Sequence, residues 1–142
     1  MMLRPMMLVE DDPMDVDLTK RAFAKRKLVN PIDVARDGEE ALARIAEWDA
    51  GTAQPAVILL DLKLPKISGL DVLRALKSHP VYKRIPVVVL TTSKGDADID
   101  TAYTVGTNSY IVKPVDSEKF MEVAGHIEMY WGVLNTPSGK NF

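Results

Sequence analysis

The chain of 142 residues contains no cysteine, which excludes disulfide bonds, thiol chemistry and zinc–thiolate sites. Its net charge is only −2, so it lacks the basic field that would hold nucleic acid or an anionic membrane. No apolar run approaches the length of a membrane span, and the opening MMLRPMMLVEDD becomes acidic too early for a signal peptide. We therefore expect a cytoplasmic protein that binds neither nucleic acid nor membrane.

The remaining composition is that of a globular protein, with 46% hydrophobic and 27% charged residues. A chain of this length fits one domain with one core. We expect a single domain over residues 1–142, with its core at about 6–134 and a flexible polar tail at 135–142.

Short apolar segments alternate with longer amphipathic ones along the chain. The short segments predict strands over 6–10, 31–36, 56–61, 86–91 and 109–113. The first helix is predicted over about 13–28, with Asp12 as its N-cap, and the second from the Asp37–Glu40 capping pair to about 51. Three further helices are predicted: one that starts at 69, one over 99–105 and one that starts at 117. The third and fourth strands are apolar at successive positions, which is typical of strands covered on both faces. The sequence therefore predicts an α/β fold, a doubly wound five-stranded parallel sheet with five helices.

Polar side chains follow the predicted strands at the edge where parallel sheets carry their sites. These residues are Glu10, Asp11, Asp12, Asp61, Thr91, Thr92 and Lys113. Clustered carboxylates stay ionised together only beside a cation or a lysine, and hard oxygen ligands suit Mg²⁺. A lysine and a threonine hydroxyl can both donate to phosphoryl oxygens, and a carboxylate can serve as the nucleophile. The set is therefore suited to phosphoryl transfer through an aspartyl-phosphate.

The motifs LVEDDP, ILLDLKLPKISG, VVVLTTS and YIVKP occur in the order and at the separations of the receiver domains of two-component response regulators. The chain resembles that family, with its CheY-like, flavodoxin-like fold, over about residues 6–134. The resemblance implies that Asp61 is the phosphoacceptor, and that Thr91 and Lys113 contact the phosphoryl group. It also implies that Mg²⁺ is held by Glu10, Asp11, Asp61 and the backbone carbonyl of Lys63.

The same resemblance implies a switch. The hydroxyl of Thr91 would move toward the phosphorylated site and the ring of Tyr110 would follow it inward, while Thr92 would gate access to the site. Phosphorylation adds about −1.5 to −2 charges at Asp61, and this local change would reshape the face of the fourth helix, fifth strand and fifth helix.

Within the family, EDDPMDVDLTKRAF, LTTSKGDADI and the lengthened last helix resemble the small single-domain regulators of phytochrome-type histidine kinases. This resemblance implies a stand-alone regulator that takes its phosphoryl group from a kinase phosphohistidine. It also implies a homodimer through the face of the fourth and fifth helices. The last helix has more apolar residues than one stripe can bury, which favours such a surface: Met129, Tyr130, Trp131, Val133 and Leu134.

Three alternative functions are considered for this set of residues. The chain could be an intermediate phosphorelay carrier, or a degenerate receiver that only binds partners, although the full set of acids, threonine and lysine argues against degeneracy. A phosphatase of the haloacid dehalogenase type also uses a strand-end Asp with Mg²⁺, but it needs a second Asp two residues later, where Lys63 stands. We expect a phosphoacceptor signalling protein that assists its own phosphorylation and dephosphorylation, not an enzyme.

Overall fold

The computed structural model describes residues 4–92, 95–113 and 116–130, apart from the side chains of four residues in the last helix (117, 126, 129 and 130). Within these residues the strands are β1 (Met6–Val9), β2 (Ile32–Ala35), β3 (Val57–Leu60), β4 (Val87–Thr91) and β5 (Ser109–Val112). The helices are α1 (Pro13–Lys25), α2 (Gly38–Asp49), α3 (Gly69–Ser78), α4 (Asp96–Val105) and α5 (Ser117–Tyr130). A 3₁₀ turn, Tyr82–Arg84, precedes β4.

The five strands form one parallel sheet in the order β2-β1-β3-β4-β5. The change of direction in strand order falls at β1 and β3, which are neighbours in the centre of the sheet. In open α/β sheets, sites lie at the carboxyl ends of the strands beside this change of order. The predicted fold, a doubly wound five-stranded parallel sheet with five helices, is confirmed.

Helices cover both faces of the sheet, and the side chains of the central strands alternate between them. Leu8 and Leu59 lie in the core that α1 and α5 cover, whereas Val9 and Leu60 lie in the core beneath α2, α3 and α4. All four are at most 2% exposed. Burial on both faces explains why β1, β3 and β4 are apolar at successive positions.

Predicted helix caps agree with the structure. Oδ1 of Asp12 accepts a hydrogen bond from the N–H of Met14 at 2.9 Å, and Oδ1 of Asp37 accepts from the N–H of Glu40 at 2.8 Å. These contacts satisfy donors that a helix leaves free at its first turn. They fix the start of α1 and α2, and α1 begins directly beside the site.

Some boundaries differ from those predicted. α1 ends at Lys25, not 28, because Lys27 adopts a left-handed φ of 58° and the N–H of Leu28 bonds to the carbonyl of Phe23, as in a Schellman motif. α4 begins at Asp96, not 99, and the acidic Asp96 and Asp98 lie in its first turn, where the helix dipole favours them. None of the helices in the described part of the chain has the length and apolar character of a membrane span.

Trp131, Val133, Leu134 and the tail at 135–142 lie outside the described residues, as do the side chains of Met129 and Tyr130. The apolar surplus predicted for the end of the last helix rests on these residues and stays a prediction.

Candidate functional site

The polar residues predicted to meet do so just beyond the ends of three strands. Glu10, Asp61 and Lys113 each follow the last residue of a strand, and each continues the main-chain ladder by one further bond. The N–H of Glu10 bonds to the carbonyl of Ala35, that of Asp61 to Val9 and that of Lys113 to Thr91, at 2.9, 3.0 and 2.7 Å. The sheet thus holds the backbones of these residues rigidly at its carboxyl edge.

Three carboxylates form a cluster at this edge. Glu10, Asp11 and Asp61 each offer an oxygen, and these oxygens all lie within 4.8 Å of one another. Glu10 and Asp61 are buried, at 3% and 7% exposed, whereas Asp11 is exposed. Hard oxygen ligands that are open to water on one side suit Mg²⁺, which keeps several of its own water molecules. The donor set therefore fits a magnesium-like cation.

Lys113 enters the cluster from β5, and its side chain is 8% exposed. Its Nζ lies 2.5 Å from Oε1 of Glu10, 2.7 Å from Oδ2 of Asp15 and 3.2 Å from Oδ2 of Asp61. An ammonium group has three N–H donors, and here each one has a carboxylate partner. Burial of these charges is tolerated because they are paired and hydrogen-bonded.

The pocket shifts the ionisation of its own groups. Burial raises the pKa of Glu10 to about 7. Hydrogen bonds and charge from Lys113, and the N–H of Asp12, act to lower this pKa, whereas the negative charge of Asp61 acts to raise it. Burial alone would lower the pKa of Lys113, but hydrogen bonds to Asp15 and Glu10 outweigh it and hold that pKa above its usual value. Lys113 is therefore a permanent cation at neutral pH.

The two oxygens of Asp61 have different partners. Oδ1 accepts from the N–H of Lys63 at 3.0 Å, and Oδ2 faces Lys113. The loop after Asp61 returns close to it, because the N–H of Gly69 bonds to the carbonyl of Leu62 at 2.9 Å. A Cβ on Gly69 would lie 2.2 Å from the carbonyl oxygen of Asp61, so only glycine fits here.

The predicted switch residues lie on neighbouring strands. Thr91, at the end of β4, is fully buried, and Thr92 beside it is exposed. Val89 pairs with Tyr110 and Thr91 with Val112, so Thr91 and Tyr110 lie two positions apart in register. Tyr110 is half-buried against the core under α3 and α4 and lines a cavity of about 250 Å³ with Tyr103. The movement predicted for this pair stays a prediction.

The structure brings together Glu10, Asp11, Asp61 and Lys113, as expected from the strand ends. It places Asp12 at the helix cap and outside the acidic cluster. The roles of these residues in metal binding and phosphoryl transfer, including that of the Lys63 carbonyl, stay predictions.

Asp15 was not expected in the site. It lies in the first turn of α1, 98 residues before Lys113, and it bonds directly to the lysine ammonium. Its only sequence signal is its position three residues after the Asp12 cap, which is ordinary for a first-turn acid. Nothing in local spacing links it to β5.

Comparison with known proteins supports this description. Residues 6–124 match the family described as "Response regulator receiver domain". The probable methanogenesis regulatory protein FilR2 of Methanothrix harundinacea is 40% identical over 134 residues, 94% of this chain and 86% of that protein.

Two solved structures are also similar. The phosphorylated cyanobacterial phytochrome response regulator RcpA superposes with a TM-score of 0.81 at 38% identity, covering 91% of this chain and 94% of that one. The Mn²⁺-bound form of response regulator Rcp1 gives a TM-score of 0.80 at 32% identity, covering 95% and 99%. Each of these proteins has the fold described above; RcpA was solved in a phosphorylated form and Rcp1 with Mn²⁺ bound.

Proposed function

This chain belongs to the response regulator receiver domain family of signalling proteins, and we propose that it accepts a phosphoryl group on Asp61. The observation that carries the proposal is that buried Asp61 belongs to a cluster of three carboxylates and also lies 3.2 Å from the ammonium of Lys113. A carboxylate nucleophile, a cation site and a lysine together suit phosphoryl transfer, because the cation and the lysine compensate the charge of the transferring group.

In the proposed reaction a carboxylate oxygen of Asp61 attacks the phosphorus of a phosphohistidine. A P–O bond forms, the P–N bond breaks, and the histidine imidazole leaves with the electron pair and takes up a proton from water. Lys113 then donates to a phosphoryl oxygen, which compensates the negative charge that develops there. Thr91, at the neighbouring strand end, is the proposed hydroxyl donor to another phosphoryl oxygen.

The proposed Mg²⁺ ligands are Glu10, Asp11 and Asp61, with the backbone carbonyl of Lys63 as the fourth protein ligand. When bound, the ion supplies charge neutralisation for the carboxylates and for the transferring group. This assignment is supported by the 4.8 Å cluster of carboxylate oxygens and by the Mn²⁺-bound state of the similar Rcp1.

We further propose that phosphorylation is read out through Thr91 and Tyr110. The added charge at Asp61 would draw the Thr91 hydroxyl toward the site, and Tyr110 would occupy the space beneath it. The cavity beside Tyr110, on the face of α4, β5 and α5, supports this by leaving room for the ring to change position. Thr92 is exposed and directly follows the buried Thr91 at the end of β4, which suits a residue that gates access to the site.

The proposed phosphoryl donor is a phytochrome-type sensor histidine kinase in the cytoplasm. The similarity to RcpA, a phytochrome response regulator, supports this pairing. The same similarity motivates the proposed homodimer through the faces of α4 and α5. Tyr103 on α4 is a large hydrophobic residue that is 51% exposed, which suits such a contact.

The test is the intact-protein mass after incubation with Mg²⁺ and acetyl phosphate. The parent should gain one phosphoryl group and Asp61→Asn should gain none. Asp71→Asn, which removes an exposed acid on α3, is the matched control and should behave as the parent. A gain in Asp61→Asn would show that another acid is the acceptor, and no gain in the parent would favour a degenerate receiver.

The other candidate functions have distinct signatures. A phosphorelay carrier would pass its phosphoryl group on to a histidine of a second protein, whereas a terminal regulator would lose it only to water. A phosphatase would turn over a small phosphate ester many times per molecule. Lys63 stands where that class places its general acid, so we expect no turnover.

A further inference from the structure

Asp15 is a third carboxylate partner of Lys113, and it comes from a part of the chain that the proposed reaction does not otherwise use. Its Oδ2 lies 2.7 Å from Nζ, closer than that of Asp61 at 3.2 Å. The Asp15 side chain is 25% exposed and the Lys113 side chain 8%, so the contact is shielded from bulk water on one side. Paired charges in such a position interact more strongly than exposed ones.

The three carboxylate partners of Lys113 have different roles in the proposed reaction. Glu10 and Asp61 are both assigned to the cation, and Asp61 is also the phosphoacceptor. Once these two carboxylates are engaged, Asp15 is the partner left to hold the ammonium. A lysine on a four-carbon chain has many conformations, and fixing one of them requires such a contact.

The position of Asp15 is itself fixed by the fold. Asp12 caps α1 and Pro13 begins it, so the first turn has a defined geometry. Val16 and Thr19, on the inward side of the same helix, are 5% and 2% exposed, which anchors that end of α1 on the sheet. The positive end of the helix dipole lies at this turn, where an acidic side chain is well placed.

We propose that Asp15 is a positioning residue that holds the ammonium of Lys113 within reach of the phosphoryl group on Asp61. This inference rests on the proposed function. In the reaction, the Lys113 N–H that faces Asp61 turns to a phosphoryl oxygen, while the N–H that faces Asp15 keeps its partner. α1 thereby takes a direct part in the site through one side chain.

The first test requires neither metal nor phosphoryl donor. The folded protein is treated with a trace of an amine-acylating reagent, and the extent of labelling is measured peptide by peptide by mass spectrometry. Asp15→Asn should raise the labelling rate of Lys113 on the order of tenfold, since one charge-assisted hydrogen bond that shields it is lost. The exposed Lys83, remote from the site, serves as internal reference.

Two further variants make the comparison specific. Asp17→Asn removes an exposed acid of the same helix, paired with Arg21, and should leave Lys113 labelling unchanged. Asp15→Glu keeps the charge and should restore most of the protection. Far-ultraviolet circular dichroism of each variant establishes that it is folded before it is labelled.

The second test is the rate of phosphoryl uptake from acetyl phosphate at a series of donor concentrations. Asp15→Asn should lower the maximal rate on the order of tenfold, whereas the donor concentration at half-maximal rate should change much less. A loss of folded molecules would also lower the maximal rate, so the circular dichroism of each variant and the repair by Asp15→Glu distinguish the two causes.

The two tests separate the possible failures. Unchanged Lys113 labelling in folded Asp15→Asn would overturn the positioning contact. Increased labelling with an unchanged maximal rate would overturn its role in the reaction. A parent protein that takes up no phosphoryl group would instead refute the proposed function, and the labelling would still decide whether Asp15 holds Lys113.

Discussion

The ammonium nitrogen of Lys113 lies 3.2 Å from Oδ2 of Asp61, although 52 residues of chain separate them. Each residue directly follows a strand, and the strands that carry them, β3 and β5, are separated in the sheet only by β4. The sheet thus sets a lysine against a carboxylate without any local motif that joins them.

Mg²⁺ should stabilise the protein, because a cation that binds the folded cluster and not the unfolded chain shifts the unfolding equilibrium. At a hundred times its Kd the ion should raise the free energy of unfolding by about 2.7 kcal/mol. Urea titrations with and without MgCl₂ measure this, with ionic strength matched by choline chloride to remove general screening.

Asp61→Asn should lose most of that stabilisation, because it removes a ligand of the cluster. Asp71→Asn, on the exposed surface of α3, should keep it. Equal effects of Mg²⁺ on both variants would contradict the metal site assigned to Glu10, Asp11 and Asp61.

Gly69→Ala should destabilise the protein by about 1–3 kcal/mol and slow phosphoryl uptake. The new Cβ would lie 2.2 Å from the carbonyl oxygen of Asp61 and 2.5 Å from Cα of Leu62, so the backbone that carries the phosphoacceptor must move. Thermal unfolding and the acetyl phosphate assay measure the two effects.

Gly125→Ala in α5 is the matched glycine control. Its Cβ would meet only the end of the Arg26 side chain, with Nη2 at 3.2 Å, and that flexible group can move aside. Alanine is favoured over glycine in helices by about 0.8–1.0 kcal/mol, so this variant should be neutral or more stable. A larger loss at Gly125 than at Gly69 would show that the close approach does not constrain the site.

Tyr82 should ionise well above the usual range of a tyrosine. The hydroxyl of Tyr82 donates to Oδ1 of Asp49 at 2.6 Å, and this bond, followed by burial and the charge of Asp49, raises the pKa of Tyr82 to about 12. Ultraviolet titration of tyrosinate should show a step near pH 12, and Asp49→Asn should move that step toward 10.

The raised pKa of Tyr82 also determines the direction in which stability changes at high pH. Between pH 10 and 12 the folded state keeps the phenol proton that the unfolded state has lost, so the unfolded state binds fewer protons there. The contribution of Tyr82 is therefore complete below about pH 10 and is lost as the pH passes 12. Tyr82→Phe should show a smaller decrease of stability across this window; an identical decrease would contradict the assignment.

Tyr103→Glu should weaken the proposed homodimer, because a charge at the centre of an apolar contact leaves an unpaired group on both copies. Light scattering over a concentration series, before and after phosphorylation, measures the association. Val81→Glu is the matched control: Val81 is 49% exposed, against 51% for Tyr103, and it lies beside the 3₁₀ turn, away from α4 and α5. This variant should leave the association unchanged. A parent that is monomeric at every concentration would refute the dimer.

Much of the fold follows from the sequence because its strands are strongly marked. The runs at Val57–Leu60 and Val87–Thr91 are apolar at successive positions, which requires cover on both faces and hence helices on both sides of a parallel sheet. Capping residues at Asp12 and Asp37 located two helix starts. Once the sheet is parallel, the residues after its strands must meet at one edge.

Other features depend on contacts that local sequence does not encode. The 3₁₀ turn at Tyr82–Arg84 was not predicted; His79, whose Nδ1 accepts from the N–H of Val81 and Tyr82, stabilises it. The start of α4 was placed too late because its first turn, Asp96 to Asp98, has too few apolar residues to reveal helical periodicity.

The sequence alone predicts that Glu10, Asp61 and Lys113 share an edge, since each follows a marked strand and the alternation of strands and helices makes the sheet parallel. The presence of Asp15 in this group is a property of the folded structure. Its contact with Lys113 spans 98 residues and depends on the rotation and tilt of α1 against the sheet. Those angles are set by the way side chains from distant segments pack together. Hydrophobic periodicity predicts which face of a helix is buried, but it does not predict which residue of the sheet the first turn of that helix contacts.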